Sequence, residues 1–191
     1  MQGYETSPRV SPDGRWIAFT GRQYGNADVF VMPVNGGDVR QITFHSGNDD
    51  VSSWSWDSRS IYFNSGRMGQ VAGFKVSAGG GTPQRVFGNY FFQYDHNLVE
   101  HPATGEIFFN DTWESSNQVH RKRYKGPFNP DVQSYNVKTK QHKKYTDWQG
   151  KDFGATIDRN GNIYFISDEA NGEYNLYTME KKKKKGLTRF S

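Results

Sequence analysis

The residues best suited to chemistry lie in one polar segment, residues 110–130. Seven of its side chains combine cations, a carboxylate and aromatic rings: Trp113, Glu114, His120, Arg121, Lys122, Arg123 and Tyr124. Guanidinium and ammonium groups form charge-assisted hydrogen bonds with carboxylates, and long loops on rigid scaffolds often carry recognition. We therefore expect these residues to contact a peptide or another domain of the same polypeptide. The alternative is an exposed loop with an ordinary run of charges.

The sequence contains no recognisable catalytic motif. Serine catalysis needs a nucleophile on a strained turn beside a histidine that a carboxylate orients. The chain has no Gly-x-Ser-x-Gly sequence, and its five histidines are scattered along it. We assign no catalytic residue to this segment, and the sequence leaves open whether the whole protein is an enzyme.

Metal and cofactor sites are equally unsupported. Residues 158–162 resemble the start of a calcium-binding loop, but Glu169, at the twelfth position, follows a predicted strand at 163–166. A hairpin turn is the better interpretation. The glycines at 79–81 have no lysine after them, which indicates a turn and not a phosphate cradle. Because the chain lacks cysteine, thiolate ligands and disulfides are excluded. We expect neither a metal nor a cofactor.

The elements that position these residues follow a repeated pattern, a turn followed by a strand. Its four copies are residues 11–19, 55–63, 101–109 and 157–165, which end at Phe19, Phe63, Phe109 and Phe165. Spacings of roughly 40 to 50 residues are typical of propeller blades with four strands each. Aromatic side chains within the repeated strands are expected in the core. Trp54, Trp113, Tyr124 and Trp148 lie outside these positions, and the repeat makes no prediction for them.

Two further strands recur in each copy. Third strands are predicted at 28–32, 73–76, 133–137 and 174–179, and fourth strands at 39–43, 83–87, 142–146 and 186–190. Short turns join them, and in the last copy the lysine run at 181–185 occupies that turn. The sequence therefore predicts an all-β protein with four four-stranded antiparallel β-propeller blades, at about 1–46, 47–89, 90–149 and 150–191. About fifteen extra residues are inserted within 110–130 of the third blade.

Composition and charge limit the partners. The 21 glycines and 16% aromatic residues favour short strands joined by tight turns. The net charge of +4 depends on the five lysines at 181–185, with which no aromatic stacking surface is interleaved. We therefore expect no nucleic acid partner. No apolar run approaches the roughly 18 residues of a membrane-spanning helix, so no membrane partner is expected.

The first repeat resembles a known propeller family. Residues 11–19 (SPDGRWIAF), 28–32 (DVFVM), Gly36-Gly37 and 40–43 (RQIT) resemble the TolB-like, WD40-like propeller repeat. The stretch 25–33 and the insertion in a later blade are more narrowly similar to the N-terminal six-bladed propeller of tricorn-type serine peptidases, a class of hydrolases. The chain looks like four of those six blades.

This resemblance implies an accessory domain in proteolysis. Such a domain guides or filters peptides toward a serine active site elsewhere in the polypeptide, and no catalytic residue carries over onto this chain. A cytoplasmic location follows from the resemblance.

Two alternatives remain open. One is a TolB-like protein–protein interaction scaffold in an envelope complex, which would be periplasmic. The other is a propeller enzyme such as a glycosidase or lyase, which would need clustered carboxylates, and the acidic residues show no repeated inward pattern. Because an open arc of four blades would leave two sheet faces uncovered, we also expect the chain to form oligomers.

Overall fold

The computed structural model describes residues 4–87, 94–116, 120–180 and 183–190 and shows an all-β chain. Its sixteen strands form four antiparallel sheets of four strands, each in chain order. The predicted fold class, four four-stranded β-propeller blades, is confirmed. Within the described residues the one helical element is a short 3-10 turn at Trp113–Ser115. No helix in this part of the chain is long and apolar enough to cross a membrane.

In the first two repeats, each sheet has three strands of six residues followed by a fourth strand of two residues. The first sheet contains β1 (Glu5–Val10), β2 (Trp16–Gly21), β3 (Asp28–Pro33) and β4 (Arg40–Gln41). The second contains β5 (Asp49–Trp54), β6 (Ser60–Ser65), β7 (Ala72–Ser77) and β8 (Gln84–Arg85). The third contains β9 (His96–Glu100), β10 (Ile107–Asn110), β11 (Gln133–Asn136) and β12 (Gln141–Lys144). The fourth contains β13 (Asp152–Ile157), β14 (Ile163–Ser167), β15 (Asn175–Glu180) and β16 (Lys183–Gly186).

The chain divides into two compact units, Met1–Glu100 and His101–Ser191. The first unit has a core of aliphatic and aromatic side chains from its sheets, including Val29, Val31, Ile61, Phe63 and Phe74. In the second unit, Phe109 and Phe165 are fully buried. Each core collects the strand residues that the repeat pattern placed inside.

Aromatic pairs across neighbouring strands explain why the marker phenylalanines recur. Phe19 stacks on Phe30 and Phe63 on Phe74, both with ring centroids 5.7 Å apart, and Phe165 stacks on Tyr177 at 6.1 Å. Each pair lies at directly opposed positions of the second and third strands. Such opposed pairs are a main source of sheet stability. Core placement of these strand aromatics is confirmed, although Trp16 and Tyr164 are only partly buried.

In the first, second and fourth repeats, an aspartate side chain accepts hydrogen bonds within the turn that precedes the second strand. Asp13 Oδ1 accepts hydrogen bonds from Ser11 Oγ and the Arg15 amide, and Asp57 does the same for Ser55 and Arg59. At the fourth repeat, Asp158 Oδ1 accepts the amides of Asn160 and Asn162 at 2.9 Å. Residues 158–162 therefore form the expected hairpin turn.

A buried aspartate and a threonine join the third and fourth strands in the same way in both units. Thr43 Oγ1 donates to Asp28 Oδ1 and accepts the Val29 amide. Thr146 makes the same two bonds with Asp131 and the Val132 amide. The acidic residues thus do show a repeated pattern, contrary to the sequence interpretation. Its role is to satisfy backbone amides where the edge strand is too short to do so.

The position of the last strand differs from the prediction. Lys183–Gly186 form β16 and pair with β15, whereas 186–190 were expected to be the strand and the lysine run the turn. Strand pairing is possible here because side chains alternate between the two faces. Lys184 reaches inward to Asp152, while Lys183 and Lys185 are partly or fully exposed. Lys181 and Lys182 lie outside the described residues.

Candidate functional site

The insertion between β10 and β11 begins with a fully buried carboxylate. The 3-10 turn at Trp113–Ser115 directs Glu114 into the second unit, where its side chain has no exposed surface. Lys151, which immediately precedes β13, is equally buried, and its Nζ lies 3.0 Å from Glu114 Oε2. The same ammonium donates to the Glu114 carbonyl oxygen at 3.2 Å. The insertion is therefore anchored to the fourth sheet by an ion pair that water does not reach.

Arg121 and Tyr124 complete this anchor. Arg121 Nη1 donates to Glu114 Oε1 at 2.7 Å, so that both carboxylate oxygens face a cation. The Arg121 guanidinium carbon lies 4.4 Å from the centre of the Tyr124 ring. Removal of charges from water is costly unless each is paired, and here the carboxylate has two cationic partners. This arrangement fixes the start of the basic segment, defined as residues 121–125.

The next two cations share one carboxylate. Lys122 Nζ forms an ion pair with Glu173 Oε2, and Arg123 Nη2 lies 3.3 Å from Glu173 Oε1. The hydrogen bond from Lys122, followed by the charges of Lys122 and Arg123, holds the pKa of Glu173 below its usual value despite an opposing effect of burial. The Lys122 and Arg123 side chains remain 47% and 67% exposed. They are therefore accessible to a ligand.

Asp168 connects the basic segment with two other loops. Its Oδ1 accepts the Trp148 indole N–H at 2.8 Å and the Lys151 amide at 2.9 Å. Its Oδ2 accepts the Arg123 amide at 3.2 Å. The backbone at Gly172 has φ +78°, and a Cβ there would overlap the Arg123 side chain. The left-handed backbone conformation favours glycine at this position, and the loop after β14 lies against the basic segment.

Burial also changes the acidity of groups around this site. Burial, together with the smaller effects of the Asp168, Glu114 and Glu173 carboxylates, raises the pKa of Tyr174 to about 12. Burial likewise raises the pKa of Asp131 to about 6, even though Lys144 lies 2.7 Å away and opposes the shift. Tyr174 is therefore protonated at neutral pH, and Asp131 titrates at about pH 6.

The seven predicted residues fall into three groups. Glu114, Arg121 and Tyr124 meet around Lys151, and Lys122 and Arg123 meet at Glu173. The remaining two lie apart from these clusters. Trp113 is 43% exposed and packs edge-to-face against Phe128, with centroids 6.0 Å apart. His120 is exposed.

Sequence reasoning missed the groups that hold the basic segment. Lys151, Asp168 and Glu173 come from the fourth repeat, and nothing in their local sequence marks them as partners of the insertion. Trp148, for which the sequence made no prediction, proves to be one of the groups on Asp168. Among the described residues, no group of three or more His, Asp or Glu is arranged to hold a metal.

Comparisons with known proteins place the chain among propellers. A family model described as the tricorn protease N-terminal beta propeller domain matches residues 1–191. Among curated proteins, the chain is 29% identical over 113 residues to the uncharacterized protein Atu1656 of Agrobacterium fabrum (strain C58 / ATCC 33970). That match covers 51% of this chain and 39% of the relative.

Solved structures show the same architecture. The chain is similar to the tricorn protease with a TM-score of 0.79 and 19% identity, covering 100% of this chain and 19% of that one. It is also similar to the putative TolB from Agrobacterium tumefaciens with a TM-score of 0.74 and 17% identity, covering 94% of this chain and 63% of that one. At these identities the likeness shows the fold. The chain spans less than two thirds of the length of each of these relatives.

Proposed function

Because the chain belongs to the family of tricorn protease N-terminal β-propeller domains, we propose that it is a non-catalytic domain of a tricorn-like serine peptidase that guides or filters peptides. The family match over all 191 residues carries this proposal. Its partners are peptides or other domains of the same polypeptide, and its location is the cytoplasm. The serine chemistry belongs to another part of the longer protein.

The basic segment supports a peptide-contacting role. Arg121, through Glu114 and Lys151, and the Arg123 amide, through Asp168, connect it to the fourth repeat without any ligand. Pre-ordered side chains lose less conformational entropy on binding than mobile ones. Lys122 and Arg123 are nevertheless largely exposed, and they share a single carboxylate, Glu173. An anionic peptide would find both cations available.

The test is binding of a fluorescein-labelled acidic decapeptide, followed by fluorescence anisotropy. Arg121→Ala, Lys122→Ala and Arg123→Ala together should weaken binding by about tenfold or more, because charge-assisted hydrogen bonds are lost. Lys122→Ala with Arg123→Ala should give most of this loss while sparing the buried Glu114–Lys151 pair. A thermal melt of each variant confirms that it is folded.

A matched control removes the same number of charges elsewhere. Lys138, Lys143 and Lys185 are exposed lysines outside the basic segment, and their joint replacement by alanine should leave the affinity within about twofold. If the basic-segment variants bind as well as the wild type, the peptide-contacting role is wrong.

A TolB-like interaction scaffold is the second candidate. It is favoured by the similarity to the putative TolB structure, which extends over 94% of this chain. Under this alternative the exposed cations of the basic segment would contact a protein partner. The two candidates differ in the size of the parent protein.

A further inference from the structure

A surface cavity of about 320 Å³ lies beside the basic segment. Its walls come from the end of the insertion, the loop before β13 and the loop after β14. The side chains that matter here are Arg123, Lys125, Trp148, Asp168 and Glu169. Only Arg123 among them belongs to the seven residues that the sequence predicted to contact a peptide or another domain.

Both acidic residues of the cavity already have partners. Asp168 is buried and accepts three hydrogen bonds, from the Trp148 indole and from the amides of Lys151 and Arg123. Glu169 Oε2 lies 2.7 Å from Lys184 Nζ. Each carboxylate therefore already has a hydrogen-bond or ion-pair partner, although the Glu169 side chain remains 35% exposed.

The two most exposed charged side chains of the cavity are the cations Arg123 and Lys125. Arg123 shares Glu173 with Lys122, so that one carboxylate faces two cations. Lys125 is exposed, and no ion pair connects it to a carboxylate in the part of the chain that the structure describes. Its Nζ lies 5.5 Å from the centre of the Trp148 ring. An anion that enters the cavity would meet two cations with spare capacity.

Trp148 adds a flat apolar surface to this charged site. Its indole N–H is fixed by Asp168 at 2.8 Å, so the ring orientation is set before binding. Indole rings bind apolar side chains at low entropic cost, since the tryptophan has few rotatable bonds. Lys184 Nζ also lies 5.6 Å from the ring centre, so the cavity places an aromatic ring directly beside two ammonium groups.

We propose that this cavity binds a peptide carboxylate between Arg123 and Lys125, with the adjacent apolar side chain of the peptide against Trp148. The proposal rests on the peptide-guiding function and deepens it by naming the chemical group that is recognised. The carboxylate comes from the C-terminus of a peptide or from an aspartate or glutamate side chain. Both sources present the same pair of oxygens to the two cations.

Isothermal titration calorimetry on the whole 191-residue chain separates these sources. Three probes suffice: N-acetyl-Ala-Ala-Phe as the free acid, the same peptide as its C-terminal amide, and N-acetyl-Ala-Phe-Glu amide. The free acid should bind about tenfold more tightly than its amide. Comparable binding of the glutamate peptide would identify a side-chain carboxylate as a second accepted source.

Lys125→Ala is the diagnostic variant, and Lys138→Ala is its control. The Lys125 variant should lose about tenfold in affinity for the acid and little for the amide, because only the acid uses the ammonium group. Lys138 is exposed outside the cavity, and its variant should bind like the wild type. Neither substitution touches the buried Glu114–Lys151 pair, so both variants should fold.

The outcomes distinguish this proposal from the peptide-guiding function. Equal affinity for acid and amide, or unchanged binding by the Lys125 variant, overturns the carboxylate site while leaving peptide binding intact. No binding of any of the three peptides overturns both. Sodium phosphate is titrated as well, and tighter Lys125-dependent binding of phosphate than of the peptides would also overturn a peptide site.

Discussion

Asp131 is the carboxylate at which burial and a neighbouring cation compete most directly. Its side chain is 7% exposed and lies 2.7 Å from Lys144, yet burial raises its pKa to about 6. Asp152, the next aspartate along the chain with a raised pKa, adds repulsion. The folded state therefore holds the Asp131 proton to a higher pH than the unfolded chain does.

This difference predicts a pH-dependent stability. Since the folded pKa exceeds the unfolded one, Asp131 lowers the free energy of unfolding as the pH rises from about 4 to about 6. Asp131→Asn removes this contribution, so the stability of the variant relative to wild type should increase over that range by about 2–3 kcal/mol. Urea denaturation at several pH values measures it.

Asp38→Asn is the control, because Asp38 is exposed and forms no ion pair in the described part of the chain. Its stability profile should run parallel to that of the wild type. A parallel profile for Asp131→Asn as well would show that burial does not perturb Asp131 in solution.

For single residues, the sequence predicted burial where a residue type recurs in the repeats, and it made no prediction for a residue that occurs in one repeat only. The marker phenylalanines recur in all four repeats, so their burial was predictable. Lys151 has no counterpart in the other repeats, and its partner Glu114 is 37 residues away. Lys184 was assigned to a turn because a lysine run is normally solvated, whereas strand alternation places it beside Asp152.

Among the elements, the insertion and the start of β13 depend most on each other. Removal of one partner from a buried ion pair costs about 3–5 kcal/mol when the other charge is left uncompensated. Because Arg121 remains paired with Glu114, the expected loss lies at the lower end of that range. We therefore expect Lys151→Met to lower the free energy of unfolding by about 3 kcal/mol. Combined with Glu114→Gln, the total loss should be smaller than the sum of the two single losses, because the two residues act on the same interaction.

Guanidinium denaturation of the wild type, the two single variants and the double variant measures this double-mutant cycle. Lys143→Met is the matched control, since Lys143 is 63% exposed and lies 4.0 Å from Glu106. Exposed pairs contribute about 0–1 kcal/mol. A loss at Lys151 no greater than that at Lys143 would contradict the anchoring role.

The sequence also did not predict the irregularities of the backbone. The first strands of three sheets shift register, between Thr6 and Arg9, between Val51 and Ser53, and between Phe153 and Thr156. Left-handed backbone occurs within two of these shifts, at Ser7 with φ 52° and at Gly154 with φ 65°. A bulge of this kind depends on the fit between sheets, which a local sequence pattern does not report.

For the whole molecule, the size of the native product distinguishes the two candidate functions. The chain covers 19% of the tricorn protease and 63% of the putative TolB. An immunoblot of the source cells against this segment should therefore show a band several times larger than 21.9 kDa. A band of less than twice that mass would favour the TolB-like scaffold and contradict the peptidase assignment.

The repeat pattern predicted the number and order of the sheets better than it predicted individual side-chain contacts. Four copies of one turn-and-strand pattern specify four sheets. A single sheet would leave an apolar face exposed, so several repeats are needed to cover such faces. The same pattern located the insertion through the excess spacing between Phe109 and Tyr135. It did not show where the insertion would dock, since that depends on contacts between different repeats.

The Glu114–Lys151 pair also has an evolutionary consequence. This insertion carries a buried acid whose counterion belongs to the neighbouring repeat. A copy moved to another blade would arrive with an uncompensated charge unless a lysine appeared there as well. We therefore expect substitutions at Glu114 and at Lys151 to restrict each other.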